Sequence, residues 1–147
     1  VTGSTASIVS TVVVAALARR RTGALSSGAN ATSHWLWGER AKRRHAPSAR
    51  YTAVGYAIHH ASSLLWAGVF DRATRAAHTP ARIAATAAAV ASAAYAVDYH
   101  VVPRRLTPGF DRHLSAPGMV ATYAAFAVGL AAAHWLLHGK GRSAPGR

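Results

Sequence analysis

Four apolar runs alternate with basic segments along the chain: Thr2–Ala18, Tyr51–Phe70, Ile83–Val102 and Pro117–Leu137. They make up roughly half of the residues yet hold only one of the 17 basic and 4 acidic side chains, Asp98. The runs are 17 to 21 residues long. As α-helices rising about 1.5 Å per residue they reach roughly 25–31 Å, the thickness of a bilayer's hydrocarbon core. A backbone crossing lipid must satisfy its own hydrogen bonds, so these runs are read as helices. A water-soluble helix would instead need a polar face recurring at the helical period. Ile83–Val97 offers only Thr86, Ser92 and Tyr95. An alanine-rich soluble bundle is therefore the weaker reading. The expected fold is all-α, an integral membrane bundle of four transmembrane helices near 2–18, 51–70, 83–102 and 117–137. It forms one domain over 1–138, and the Gly-, Pro- and charge-rich tail 139–147 is expected to be disordered.

The segment from Arg19 to Arg50 is too long for a simple turn. Its centre, Asn30 to Gly38, contains Trp35, Leu36 and Trp37. Indole rings favour the membrane–water boundary, so an interfacial or re-entrant piece is expected between helices 1 and 2, with Thr32 or Ser33 capping a short helix. Elsewhere, Pro80 precedes the third run, Thr107-Pro108-Gly109 signals a turn, and Pro117 opens the fourth helix.

The formal net charge of +13 first suggests nucleic acid. The basic residues, however, sit where apolar runs stop, and not along a helix face among stacking aromatics, so no nucleic-acid partner is expected. Arg19–Arg21 and Arg40–Arg44 are placed to meet anionic lipid headgroups. No basic residue precedes the first run and three arginines follow it. That is the reverse of a secretory signal, so the run is read as a retained anchor with its start translocated. With four spans, one side carries Arg19, Arg20, Arg21, Arg40, Lys42, Arg43, Arg44, Arg50, Arg104, Arg105 and Arg112. The other carries Arg72, Arg75, Arg82, Lys140, Arg142 and Arg147. The positive-inside rule then puts both termini outside, in the periplasm if the membrane is a bacterial inner membrane. The excess of Arg over Lys and the abundance of Ala lean towards a GC-rich bacterial source.

Cysteine is absent, which excludes disulfides, thiolate metal sites and cysteine nucleophiles. Nine histidines against four acids is the unusual feature. His59 and His60 lie roughly 12–14 Å from the inner end of helix 2, and Asp98 lies about 6 Å from that side on helix 3. His34, His100, Arg104 and Arg105 belong to the same leaflet. A carboxylate within a span is costly and often functional, and histidine titrates near neutral pH. The polar cluster His34, His59, His60, Asp98, His100, Arg104 and Arg105 therefore suggests transport, or handling of a ligand or of protons. A sharper alternative is a metal site on His59, His60 and Asp98, as in a histidine-ligated metal or haem protein. A structural alternative has these groups bridging helices, with Asp98 neutralised by Arg104 or Arg105, in an accessory subunit of a larger membrane complex. His134 and His138, spaced i,i+4 at the other end of helix 4, form a weaker metal pair. Small-residue faces on helices 3 and 4 suit either packing within the chain or a homodimer or larger complex. No catalytic residue set, phosphate-binding loop or cofactor motif is legible, so an enzyme is the less expected class.

Overall fold

Arg19, Arg20 and Arg21 extend the first helix rather than end it. In the computed structural model, which describes residues 1–76 and 79–138, α1 runs over Thr2–Thr22. It stops at Gly23, whose φ of 80° lets its N–H bond back to the Arg19 carbonyl at 2.8 Å. Apolarity ends at Ala18, but the helix does not. Arginine is a good helix former, and cations complement the carbonyl end of a helix.

Three short helices follow: α2 (Ser27–Thr32), α3 (His34–Trp37) and α4 (Glu39–Lys42). A wide π turn over Ala49–Ala53 leads into α5 (Val54–Ala73). Ser48 accepts from the Tyr51 N–H while its own N–H donates to Thr52 Oγ1, so both orphan donors at this start are satisfied. Next comes α6 (Pro80–Ala96), which begins three residues before the predicted Ile83 because Thr79 caps the Arg82 N–H and Pro80 occupies the first turn. A second π turn, Val97–Val101, ends it with a bond from the Val102 N–H to the Val97 carbonyl at 3.0 Å. Two 3₁₀ turns, Arg104–Leu106 and Phe110–Arg112, lead to α7 (Ala116–His138). The described residues contain no strand. The expected disorder of 139–147 concerns residues outside the described ones.

The long helices alternate in direction. Gly3 and Ser10 of α1 lie against Leu64 and His59 of α5, and Ala6 and Leu17 of α1 lie against Gly129 and Gly118 of α7. Ala67 and Phe70 of α5 meet Ile83 and Ala87 of α6, whose far end meets Tyr123 of α7. Consequently α1 and α6 point one way, and α5 and α7 the other. The approach of α1 to α7 is close: a Cβ on Gly129 would stand 2.6 Å from Ala6 Cα.

Three helices, Thr2–Thr22, Pro80–Val101 and Ala116–His138, are long and apolar enough to cross a membrane. Each presents a buried and an exposed face. Along α1 the buried positions are Thr2, Gly3, Ala6, Ser7, Ser10, Val14 and Ala18, while Val12 is 62 % exposed. On α7, Gly118, Thr122 and Gly129 face inward and Val120 is 70 % exposed. This arrangement buries small and hydroxylated residues beside Val14, Phe126 and Leu130 and leaves branched apolar residues on the outer face. It fits helices whose association relies on close packing and interhelical polar bonds.

The segment between α1 and α5, expected as an interfacial or re-entrant piece, is in part packed inside the bundle. Residues 26–28 and 30–34 are buried, and α2 is wedged between α1 and α5 so closely that a Cβ on Gly55 would overlap the Ala29 carbonyl. Asn30 ties this wedge to the following loop. Its Nδ2 donates to the carbonyls of Arg44 and Ala46, and its Oδ1 accepts from Thr52. Ser33 does not cap α3 as anticipated. Its hydroxyl donates to the Asn30 carbonyl at 2.7 Å, because the chain stays in the right-handed helical region through Ser33 and leaves no capping geometry there.

Candidate functional site

Between the two apolar clusters of the bundle, one around Phe70, Phe126 and Leu130 and one around Val14, Leu114 and Met119, lies a cavity of about 190 Å³. Its walls come from four long helices: Ser10 of α1, His59, Ser62, Ser63 and Trp66 of α5, Ala94 and Asp98 of α6 and its π turn, and Thr122, Tyr123 and Phe126 of α7. Thr32, Trp35, Leu106, Pro108 and Phe110 close the end nearest the basic loops. Phe110 reaches this place because Gly109, at φ 81°, turns the chain under His34. A Cβ on Gly109 would lie 2.8 Å from His34 Nδ1.

His59 Nε2 lies 3.0 Å from Ser10 Oγ. The Ser10 hydroxyl also lies 2.9 Å from the Ala6 carbonyl, so when its proton is given there, His59 Nε2–H is the donor to Ser10. The ring stands edge-on to Phe110, centroids 6.5 Å apart. Ser63 bonds the His59 carbonyl and leaves the imidazole free of side-chain ties on that side.

The π turn at Val97–Val101 places Asp98 against the cavity. Tyr123 OH donates to Asp98 Oδ2 at 2.7 Å. Neither Arg104 nor Arg105 neutralises Asp98, although the structural alternative required it. Both are exposed, and the one ion pair among the described residues joins Lys42 to Glu39. After the π turn, Pro103 starts a new 3₁₀ turn on which both arginines sit, exposed to solvent. Tyr123 sits in an aromatic group, its centroid 5.3 Å from Tyr95, 6.4 Å from Tyr99 and 6.5 Å from Phe110.

Of the seven residues expected to cluster, the cavity holds two, His59 and Asp98, on different helices and without direct hydrogen bonding. His60 is one residue, about 100° of helix, further round. It stacks on Tyr56 at 5.8 Å, and its Nδ1 is buried without a partner among the described residues. His34 is buried as a strap, Nδ1 2.9 Å from the Ala31 carbonyl and Nε2 3.3 Å from that of Arg104. Trp35 Nε1 reinforces the strap by donating to the Thr107 carbonyl at 2.8 Å. His100 is exposed beside Tyr95. No three His, Asp or Glu side chains among the described residues come together to hold a metal ion. The rings of His134 and His138 lie 4.6 Å apart and tilted at the opposite end, a pair without a third ligand among the described residues.

In the loop layer the rings of His45 and His113 meet edge to face at 5.4 Å, and His45 Nδ1 lies 2.9 Å from Ser27 Oγ. Burial, with the neighbouring His45, holds His113 below the ordinary histidine value of 6.5. The exposed Glu39 is drawn below the usual carboxylate range by its bond from Lys42.

Ser10, Trp66, Phe110, Thr122 and Tyr123 are site residues that sequence reasoning missed. For Tyr123 only a coarse signal existed: antiparallel helices joined by residues 103–115 bring positions within about two turns of that loop near one another, and Asp98 and Tyr123 are both within that reach. Compared with known proteins, the chain matches no protein family, no curated protein and no solved structure.

Proposed function

We propose that the chain is a four-span membrane protein that handles a small ligand in its central cavity, with His59 and the Asp98–Tyr123 pair as the polar contacts on its walls. The observation that carries this reading is the cavity itself, into which titratable groups from separate helices project across otherwise apolar walls. Ligand sites are typically of this kind, concave and apolar with a few placed polar groups.

The direction of the helices supports four spans. α1 and α6 point the same way, so the chain between them must return, and α5 is the helix that does so. His59 and His60 lower its apolarity, yet its outward positions Leu64, Leu65 and Val69 are exposed and suited to lipid. The loops at residues 19–53 and 102–115 share one end of the bundle, where Arg19–Arg21, Arg40, Arg43 and Arg44 are exposed to anionic headgroups. On this reading that end is cytoplasmic, in a bacterial inner membrane, and the termini are periplasmic.

The absence of cysteine supplies the test. Ser62→Cys lines the cavity, whereas Val69→Cys faces outward. In membranes, a small water-soluble methanethiosulfonate should modify the first about tenfold or more faster than the second, since thiolate forms only where water reaches. Equal, slow modification at both positions would mean that no reachable cavity exists.

A further inference from the structure

Every wall of the cavity bears on the charge its guest can carry. Among the described residues, no Lys or Arg lines it. Asp98 supplies its one acid, and only one of that acid's oxygens is engaged: Oδ2 accepts from Tyr123, while Oδ1 has no hydrogen-bond partner among the described residues. Five aromatic side chains, Trp35, Trp66, Phe110, Tyr123 and Phe126, contribute to the lining. Their π faces are electron-rich and attract cations, more strongly when water is excluded. His59 sits elsewhere on the wall and is engaged with Ser10.

These features select among guests. An anion would meet a carboxyl and aromatic faces with no basic side chain to receive it. A divalent metal would need ligands that the site lacks, as no three donors converge among the described residues. A neutral hydrocarbon would leave the free Asp98 oxygen unpaired in an apolar surround, where unmatched polar groups are costly. One positive charge answers both the carboxylate and the rings. Size sets the rest: a dry cavity of about 150 Å³ accommodates benzene, so about 190 Å³ admits one ring with a compact head group. The most exposed lining residues, Leu65 and Leu106, belong to α5 and to the turn after α6. The cavity is therefore most open between these two elements.

We infer that the cavity binds a small lipophilic monocation, an alkyl- or arylammonium of about one ring in size, with Asp98 as its counter-ion and the aromatic side chains as its walls. The inference rests on the ligand-handling reading above and names the class of ligand.

The full chain carrying Ser62→Cys, in lipid vesicles, provides the experiment. Benzyltrimethylammonium is compared with neopentylbenzene, its neutral isostere, as a protectant against methanethiosulfonate. The cation should slow modification about tenfold at saturation, the isostere far less, and Trp66→Leu should weaken protection several-fold. Asp98→Asn should abolish protection and Asp98→Glu retain much of it, each with the unprotected labelling rate of the introduced thiol unchanged as the sign of an intact bundle. Should Asp98→Asn fail that control, the comparison of cation with isostere and Trp66→Leu still decides. Equal protection by both compounds, insensitive to Asp98, would overturn the cation inference and leave a cavity for neutral ligands. Labelling of the thiol with no protection by either compound would also overturn it while the cavity stands. No labelling of the thiol at all would remove the reading on which the inference rests.

Discussion

His113 illustrates how a single side chain couples this fold to pH. It is buried beside His45, its Nε2 has no hydrogen-bond partner among the described residues, and Asp111 and Arg112 flank it. Burial, then His45, depresses its proton affinity below the ordinary value of 6.5, so the fold favours the neutral ring. The unfolded chain then binds more protons as the solution is acidified. Stability from this group is complete above about 6.5 and declines as pH falls below that value, levelling off once the folded ring is also protonated. Melting temperature in detergent should therefore drop on going from about pH 7.5 to about 5.5, and His113→Asn should make the drop shallower. An unchanged slope in that variant would assign the acid sensitivity to other groups.

At the scale of elements, the crossing of α1 and α7 depends on a missing side chain. A Cβ at Gly129 would collide with the Ala6 backbone at 2.6 Å, where no rotamer change can relieve it, so the helices must separate. Gly129→Ala should cost about 1–3 kcal/mol, the usual penalty of overpacking. Gly68→Ala, on an open face of α5 with nothing within 4 Å, should stay within about 1 kcal/mol of the parent, the scale of helix propensity alone. Thermal denaturation of both in one detergent checks the contrast. Comparable losses would mean that the close α1–α7 approach contributes little. The π turn at Val97–Val101 belongs to this scale too, since it sets Asp98 against the cavity while Tyr99 packs near Phe110.

For the whole molecule, direction and charge combine into one expectation. The alternating helices place residues 23–53 and 102–115 at the same end, and the loop between α5 and α6 at the other. A reporter active only in the cytoplasm, fused after Arg44, should be on, and one fused after Ala76 should be off. The same result at both sites would mean that α5 does not cross, and the four-span reading would fail. Three of the spans meet the length and apolarity of a crossing helix by themselves, so this experiment turns on α5.

Hydrophobic sorting by itself determined the long helices and their approximate limits, because excluding charge from lipid is a property of each segment alone. That Asp98 lines the cavity was legible for a similar reason: one acid in an apolar run is conspicuous without a neighbour. Helix ends were less legible. The Arg19–Arg21 extension, the Thr79 cap and the π turns depend on local backbone bonding that an apolar count does not register. Partners were least legible. That His59 meets Ser10, that Asp98 meets Tyr123 and not Arg104 or Arg105, and that His60 turns to Tyr56 all depend on helix rotation and on which helices are adjacent. Phe110 reaches the cavity through the turn at Gly109 and the buried wedge Ser27–Thr32, contacts between residues far apart in the chain. Segment composition decides what enters the membrane, whereas side-chain pairing depends jointly on rotation, depth and neighbour, and only the tertiary packing decides it.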